Sequence, residues 1–409
     1  LKLKIEKIVY GGYGLAHTNG TTYFVRGAYP GEEVNVKILK QKKDLCFAQA
    51  EKIVTPSPFR IQPSCKHFEK CGGCEWMDVS YEQQLEFKRE IFKEQMKRIA
   101  KYKIKDIFIS QTNKKHYRNK VEFVVHNSKL GFFKRKSHEF VEIDECEILS
   151  EKINEAKRKV ENVLKSHPNF SSKVDHVIIK EGENGIMVIF TSTRDITPPY
   201  LDGVESVVTL KRKATSHVIV SGKERVCQGT TLEKTINGIR YRIPAKSFFQ
   251  VNDEGAKLLA ELVKNYAGYG ENVLDLYCGV GFFSLQLHDN FKRVFGVESS
   301  PPSIRVAKEN AKLNGFDNIQ FQVKRIENWQ SSKKFDVIVV DPPRSGLGKS
   351  VEKISTITDK VVYVSCDSST FARDTAAFMK KGFEIKKVKL IDMFPQTHHF
   401  ETIALFERM

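Results

Sequence analysis

The chain has 409 residues, long enough for two or three domains that each bury a core. Its 67 Lys and Arg against 50 Asp and Glu leave a net charge of +17, which favours a polyanionic partner over an acidic small molecule alone. No apolar run approaches the roughly 18 residues of a membrane span, no signal peptide opens the chain, and eight cysteines are too few for a secreted disulfide scaffold. The expectation is a cytoplasmic monomer without a membrane, whose clustered cysteines bind metal.

Taken in chain order, residues 1–56 carry short alternating runs, LKLKIEKIVY, TTYFV, EVNVKILK and CFAQAEKIV, separated by GGYG and AYPGE. They predict four or five strands of a small barrel, with Tyr13, Tyr23 and Phe24 serving either as stacking platforms or as core. PSPFRIQP marks a linker, and CKHFEKCGGC then places Cys65, Cys71 and Cys74 in a C-x5-C-x2-C spacing. Three thiolates need a fourth ligand, for which Cys146 in DECEIL is the candidate. A four-thiolate zinc site and an iron-sulfur cluster both fit this set. Ser80 and Gln83 read as a capping box opening a helix with Tyr81, Leu85, Phe92, Met96 and Ile99 on one face. From Lys88 to Lys120 there are twelve basic and three acidic residues, either a nucleic acid contact or a solvated basic face.

Residues 57–245 are expected to form a central α+β domain, with strands VEFVVH, GIMVIFTS and SHVIVSG and a helix around Lys152 to Leu164; the helix at about 80–105 is placed against the next domain. Residues 246–409 alternate strand and helix, which predicts a doubly wound parallel sheet, and FEIKKVKLIDMF and FETIALFER read as an antiparallel edge hairpin. Ligands bind outside the carboxyl ends of such strands. The glycine turn DLYCGVGFF follows the first strand, with Tyr277 and Gly279. Glu298 closes the second strand, where a carboxylate can accept ribose hydroxyls, and Ser284 replaces the third glycine a dinucleotide site prefers. This combination fits S-adenosyl-L-methionine. Asp341 of DPPR ends the next buried strand.

Cys366 ends the fourth strand on the same edge, just before a helix whose N-terminus would lower a thiol's pKa. A thiolate beside a methyl donor can add to carbon 6 of uracil and make carbon 5 nucleophilic; a base then removes the carbon 5 proton and the thiol leaves. Near the C-terminus FPQTHHFETIALF supplies His398, His399 and Glu401, of which Glu401 is the candidate proton acceptor.

On these motifs the chain resembles the RumA/TrmA family of RNA (uracil-5-)-methyltransferases over nearly its whole length. They are S-C-x-x-x-T-F-A-R-D around Cys366, the aspartate of DPPR, FFQVN at Phe248 to Asn252, and MFPxTxHxE ending at Glu401. The resemblance implies a multidomain α/β protein: an N-terminal OB-like β-barrel (a TRAM domain), a central α+β iron-sulfur domain, and a C-terminal Rossmann-like class I methyltransferase domain. It implies Cys366 as nucleophile, Glu401 as base, and Gln250, Tyr277, Glu298 and Asp341 as cofactor contacts. The branch acting on 23S ribosomal RNA is similar at Cys65, Cys71, Cys74 and Cys146, which implies a 4Fe-4S cluster rather than zinc and 23S rRNA as partner, with the T-loop uridine of tRNA as the alternative. Phe282 and Arg325 depart from the family's adenine contacts. A cytosine-5 methyltransferase would place Pro-Cys where this chain has DPPR, and a non-catalytic zinc RNA-binding protein would not need Cys366 and Glu401.

Overall fold

A computed structural model describes residues 1–409. At the N-terminus, Lys2–Lys4 and Lys7–Val9 are two halves of one bent strand. The first half pairs with Glu33–Lys42 and the second with Tyr13–Thr18; Thr21–Arg26 and Leu45–Thr55 complete the order, so the sheet closes on itself. Closure removes the exposed edges of a short sheet. Small apolar side chains such as Ala16, Val25, Val34 and Ala48 fill the interior, with Tyr23 packed against them. Tyr13, Phe24 and Phe47 form a separate, half-buried group, Phe24 stacking on Phe47 at 5.3 Å.

The linker fixes this barrel to the body. Arg60 Nε donates to Glu32 of the barrel and Nη1 to Asp78, each at 2.5 Å, and its guanidinium lies 4.6 Å over the ring of Tyr29. Tyr29 donates its hydroxyl to Asp78 at 2.6 Å, and Ile8 and Tyr29 pack into one core with Trp76, Phe87 and Phe92.

Helix Tyr81–Gln95 buries Tyr81, Leu85 and Phe92, and a π turn, Met96–Ala100, extends it with Met96 buried and Ile99 half-buried. Ser80 stands at its N-cap, but the expected capping box does not form: the Ser80 hydroxyl makes no capping bond, and its N–H, which the box would offer to Gln83, donates to Phe59 O at 3.0 Å. Lys88 is not on the basic face either. It is fully buried and donates to Asp392 at 2.5 Å, whereas Lys101, Lys103 and Lys105 are exposed.

A seven-stranded, mostly antiparallel sheet follows, ordered Phe140–Glu142, Lys129–Phe133, Lys120–His126, His176–Glu181, Ile186–Ser192, Ser206–Lys211 and Lys223–Gly229. Helix Glu151–Ser166 covers one face. SHVIVSG, expected as a strand, is a loop. The Ser216 and Ser221 hydroxyls both donate to Val218 O, folding the segment on itself, and Ile219 and Val220 pack towards the catalytic core.

The C-terminal sheet has eight strands, ordered Ile319–Val323, Phe291–Glu298, Gly270–Leu276, Val337–Val340, Lys360–Ser365, Glu401–Arg408, Phe383–Ile391 and Ile109–Ser110. The first five are parallel, and the order reverses between Gly270–Leu276 and Val337–Val340, the switch point where such sheets take ligands. The last two long strands pair antiparallel as expected. Glu401–Arg408 is nevertheless interior, and Ile109–Ser110 covers the other. No helix is long and apolar enough to cross a membrane.

Candidate active site and cysteine site

Strand register brings the predicted residues to one edge. Leu276 pairs with both Val297 and Val340, so the next residues, Tyr277, Glu298 and Asp341, stand side by side at the switch point. Tyr277 has φ 66°, a strained conformation for an aromatic residue, and Gly281 at φ 85° completes the turn. Glu298 Oε1 accepts from Ser299 Oγ and Ser300 N, both at 2.8 Å, and its second oxygen takes no protein donor. Gln250 is buried in the loop before helix Asp253–Ala267. Its carbonyl accepts from Asn119 Nδ2 at 3.1 Å, and neighbouring Phe249 packs edge-on against Phe282 at the glycine turn. Phe282 is itself buried against Tyr241 and Phe249, so its ring belongs to the core, while Arg325 is exposed.

Ser365 pairs with Thr402 in antiparallel register, which sets Cys366 opposite Glu401. Glu401 is buried, and its Oε2 has no hydrogen-bond partner. Burial, reinforced by nearby Asp341, holds the Glu401 carboxyl well above its usual range, and burial pushes Asp341 up to about 7. The expectation of a lowered Cys366 pKa is not met: burial, then Glu401 and Asp341, raise it to about 12. The helix N-terminus cannot compensate, because Asp367 Oδ1 already accepts from Ser369 N at 3.1 Å and Thr370 N at 2.9 Å. The resting group is therefore a thiol.

Glu75, directly after Cys74, ties the cysteine site to the loop before Glu401. Its carboxylate accepts from His398 N at 3.2 Å, contacts His398 Nδ1 at 2.5 Å and pairs with Arg135; Glu75 N and Trp76 N both donate to Gln396 O. Burial lowers His398 to about 4 and His399 to about 3.

Cys65, Cys71, Cys74 and Cys146 come together around a cavity of about 260 Å³ that Phe68, Met77 and Arg118 also line. Burial and the neighbouring thiols raise Cys74, and burial raises Cys146 to about 11. Gly73 N donates to Cys71 Sγ at 3.3 Å. Cys46 and Cys278 are buried elsewhere and Cys227 is exposed. The sequence reading did not single out Tyr10, which donates its hydroxyl to Asp367, or Lys180, whose ammonium donates to the Pro244, Ala245 and Ser247 carbonyls at 3.0, 2.7 and 2.9 Å. Neither sits in a local pattern that marks it.

A family model described as tRNA (Uracil-5-)-methyltransferase matches residues 80–409, and a TRAM domain model matches residues 1–50. An RNA methyltransferase of Thermotoga maritima is 36% identical, over 98% of this chain and 97% of that protein. Another from Aquifex aeolicus is 34% identical, over 100% of this chain and 98% of its own length; both are described as uncharacterised. The crystal structure of Pyrococcus abyssi tRNA (uracil-54, C5)-methyltransferase in complex with S-adenosyl-L-homocysteine is similar with a TM-score of 0.82 at 27% identity, covering 99% of this chain and 100% of that one.

Proposed function

The chain belongs to the S-adenosylmethionine-dependent RNA uracil-5-methyltransferase family, and from that premise we propose that it methylates carbon 5 of a specific uridine in 23S rRNA through a covalent Cys366 adduct. The observation that carries the mechanism is that Cys366, one residue past the Ser365–Thr402 pair, stands opposite a buried Glu401 whose Oε2 has no partner. The ring must be extruded from its stack to enter such a site, which favours loops over duplex RNA.

Cys366 gives its proton to solvent and reacts as the thiolate: Sγ forms a bond to carbon 6 of uracil, and the ring's electron pair moves to the carbonyl oxygen as an enolate. Bound S-adenosylmethionine supplies the electrophilic methyl group that carbon 5 then takes. Glu401 removes the remaining carbon 5 proton, the carbon 5–carbon 6 double bond re-forms, and Cys366 leaves with the electrons of its bond. A raised Glu401 pKa suits a proton acceptor, since it strengthens the base. Gln250, Tyr277, Glu298 and Asp341 are proposed to hold the cofactor; the open Glu298 oxygen suits ribose hydroxyls, and the strained Tyr277 turn exposes backbone at the switch point.

Cys65, Cys71, Cys74 and Cys146 are proposed to hold a 4Fe-4S cluster that orders the central domain. The supporting observation is that all four cysteines line one cavity of about 260 Å³, and the resemblance to the ribosomal RNA branch favours the cluster over zinc. The T-loop uridine of tRNA is the second reading for the substrate, favoured by the likeness to the P. abyssi enzyme.

With 5-fluorouridine RNA, the wild type should form a stable covalent adduct and Cys366→Ala none, with turnover abolished. Glu401→Gln should accumulate the adduct on ordinary RNA, because methyl transfer proceeds and resolution does not. Full methylation by Cys366→Ala would discard the mechanism. Mapping 5-methyluridine in cells lacking the protein separates the substrates: loss from 23S rRNA supports the first reading, loss from tRNA the second.

A further inference from the structure

We propose that Tyr10, from the N-terminal barrel, is a positioning residue for the nucleophile, acting through Asp367; this rests on Cys366 being the nucleophile. Tyr10 opens the Tyr10-Gly11-Gly12 turn between strands Lys7–Val9 and Tyr13–Thr18. Its hydroxyl donates to Asp367 Oδ2, across the barrel's boundary with the catalytic sheet. The turn approaches that closely because Gly12 has φ 74° and no side chain: a Cβ there would lie 3.0 Å from His398 Cβ. The Arg60 ion pairs with Glu32 and Asp78 are a second tie between the barrel and the body.

Asp367 has two tasks that conflict. Its Oδ1 caps the helix that follows Cys366, and its N–H and carbonyl are both bonded to the hydroxyl of Ser365, so its backbone sets where Sγ lies. Its carboxylate is also a negative charge one residue from the thiol, adding to Glu401 and Asp341, against which Arg344 is the nearby cation. Left unpaired, Oδ2 could rotate the carboxylate out of its capping position and towards Sγ. The Tyr10 hydroxyl satisfies Oδ2, locks the rotamer and turns that charge away from the thiol. Tyr10 suits this task because burial and then Asp367 raise its own pKa to about 12, so it remains a donor throughout the working range. The barrel therefore completes the catalytic site as well as offering a surface for RNA.

The test uses full-length, cluster-loaded protein. Tyr10→Phe removes only the hydroxyl. Expected are a kcat lower by roughly tenfold, the worth of one hydrogen bond to a charged group, a KM for RNA changed by less than about twofold, and slower iodoacetamide alkylation of Cys366 at each pH. Alkylation is read by mass spectrometry on the Cys366 peptide, with the profile displaced to higher pH. Asp367→Asn keeps a capping oxygen without the charge, so its profile should move to lower pH, and adding Tyr10→Phe to it should have little further effect. Unchanged kcat and alkylation in Tyr10→Phe would overturn the proposal. So would a raised KM with kcat intact, which would make Tyr10 an RNA contact, or independent effects in the double variant. Failure of the nucleophile reading is separate: it appears as methylation by Cys366→Ala, whereas the alkylation profile reports the Tyr10–Asp367–Cys366 linkage without any methyl transfer.

Discussion

Asp341 and Glu401 show how one buried edge sets protonation. Both carboxyls are raised by burial, and Glu401 further by Asp341. A folded-state pKa of about 7 for Asp341 lies above the unfolded carboxylate value, so between these limits the folded protein binds more protons than the unfolded chain. Stability should therefore fall as pH rises through that window. Asp341→Asn removes the titration, and its melting temperature should gain on the wild type steadily from about pH 4 to about pH 7. Parallel melting curves for the two proteins would show that Asp341 is not titrating there. Turnover should instead rise with pH, since both Cys366 and Glu401 must be deprotonated to act.

At the scale of elements, two loops are shaped from outside the catalytic sheet. Residues 395–399 lead into Glu401 and are held by Glu75 and by Tyr117, whose hydroxyl donates to Pro395 O at 3.1 Å. Glu75→Ala leaves Arg135 and His398 without their partner, at a cost of about 1–3 kcal/mol. It should lower kcat while retaining bound iron, which separates loop placement from cluster loss; unchanged kcat would show the loop is held without it. The loop leading to Gln250 is gathered by Lys180 from the central sheet. Lys180→Met leaves the Pro244, Ala245 and Ser247 carbonyls without their shared donor and should weaken S-adenosylmethionine binding by calorimetry, although Lys180 is remote in sequence from every cofactor motif.

For the whole molecule, the barrel is an integral wall. Arg60→Ala leaves Glu32 and Asp78 buried without their cation and should destabilise by about 3–5 kcal/mol, with activity falling in parallel. A small loss in both would mean that the barrel is held chiefly by the apolar packing of Ile8 and Tyr29. RNA affinity should fall steeply with salt, given the charge of +17, and reversing Lys101, Lys103 and Lys105 should weaken all RNAs alike without changing the modified uridine. Cys71→Ser or Cys146→Ser should remove iron and loosen the central domain; stoichiometric zinc in anaerobic wild type would reject the cluster.

Local pattern alone determined much of this protein. Alternation and the strand-turn-helix rhythm made the barrel and the parallel sheet legible, because side-chain periodicity is a property of consecutive residues. For the same reason Tyr277, Glu298, Asp341 and Cys366 could be read as strand ends on one edge and Cys65, Cys71 and Cys74 as one cluster, whereas Cys146 is a candidate only by elimination and by the family resemblance. Tertiary structure decided what depends on pairing between distant segments. The register of Ser365 against Thr402 places Glu401 opposite Cys366, and the fold of helix Tyr81–Gln95 onto Asp392 turns Lys88 from a surface charge into a buried ion pair. Phe59 takes the amide that a capping box at Ser80 required, and Asp367 takes the helix N-terminus that would have lowered the thiol's pKa. For Glu401, Lys88 and Ser80 the deciding partner lies in another segment of the chain where no spacing rule reaches it, whereas Asp367 caps a helix two and three residues ahead, a local bond that competes with the thiol for the same helix N-terminus.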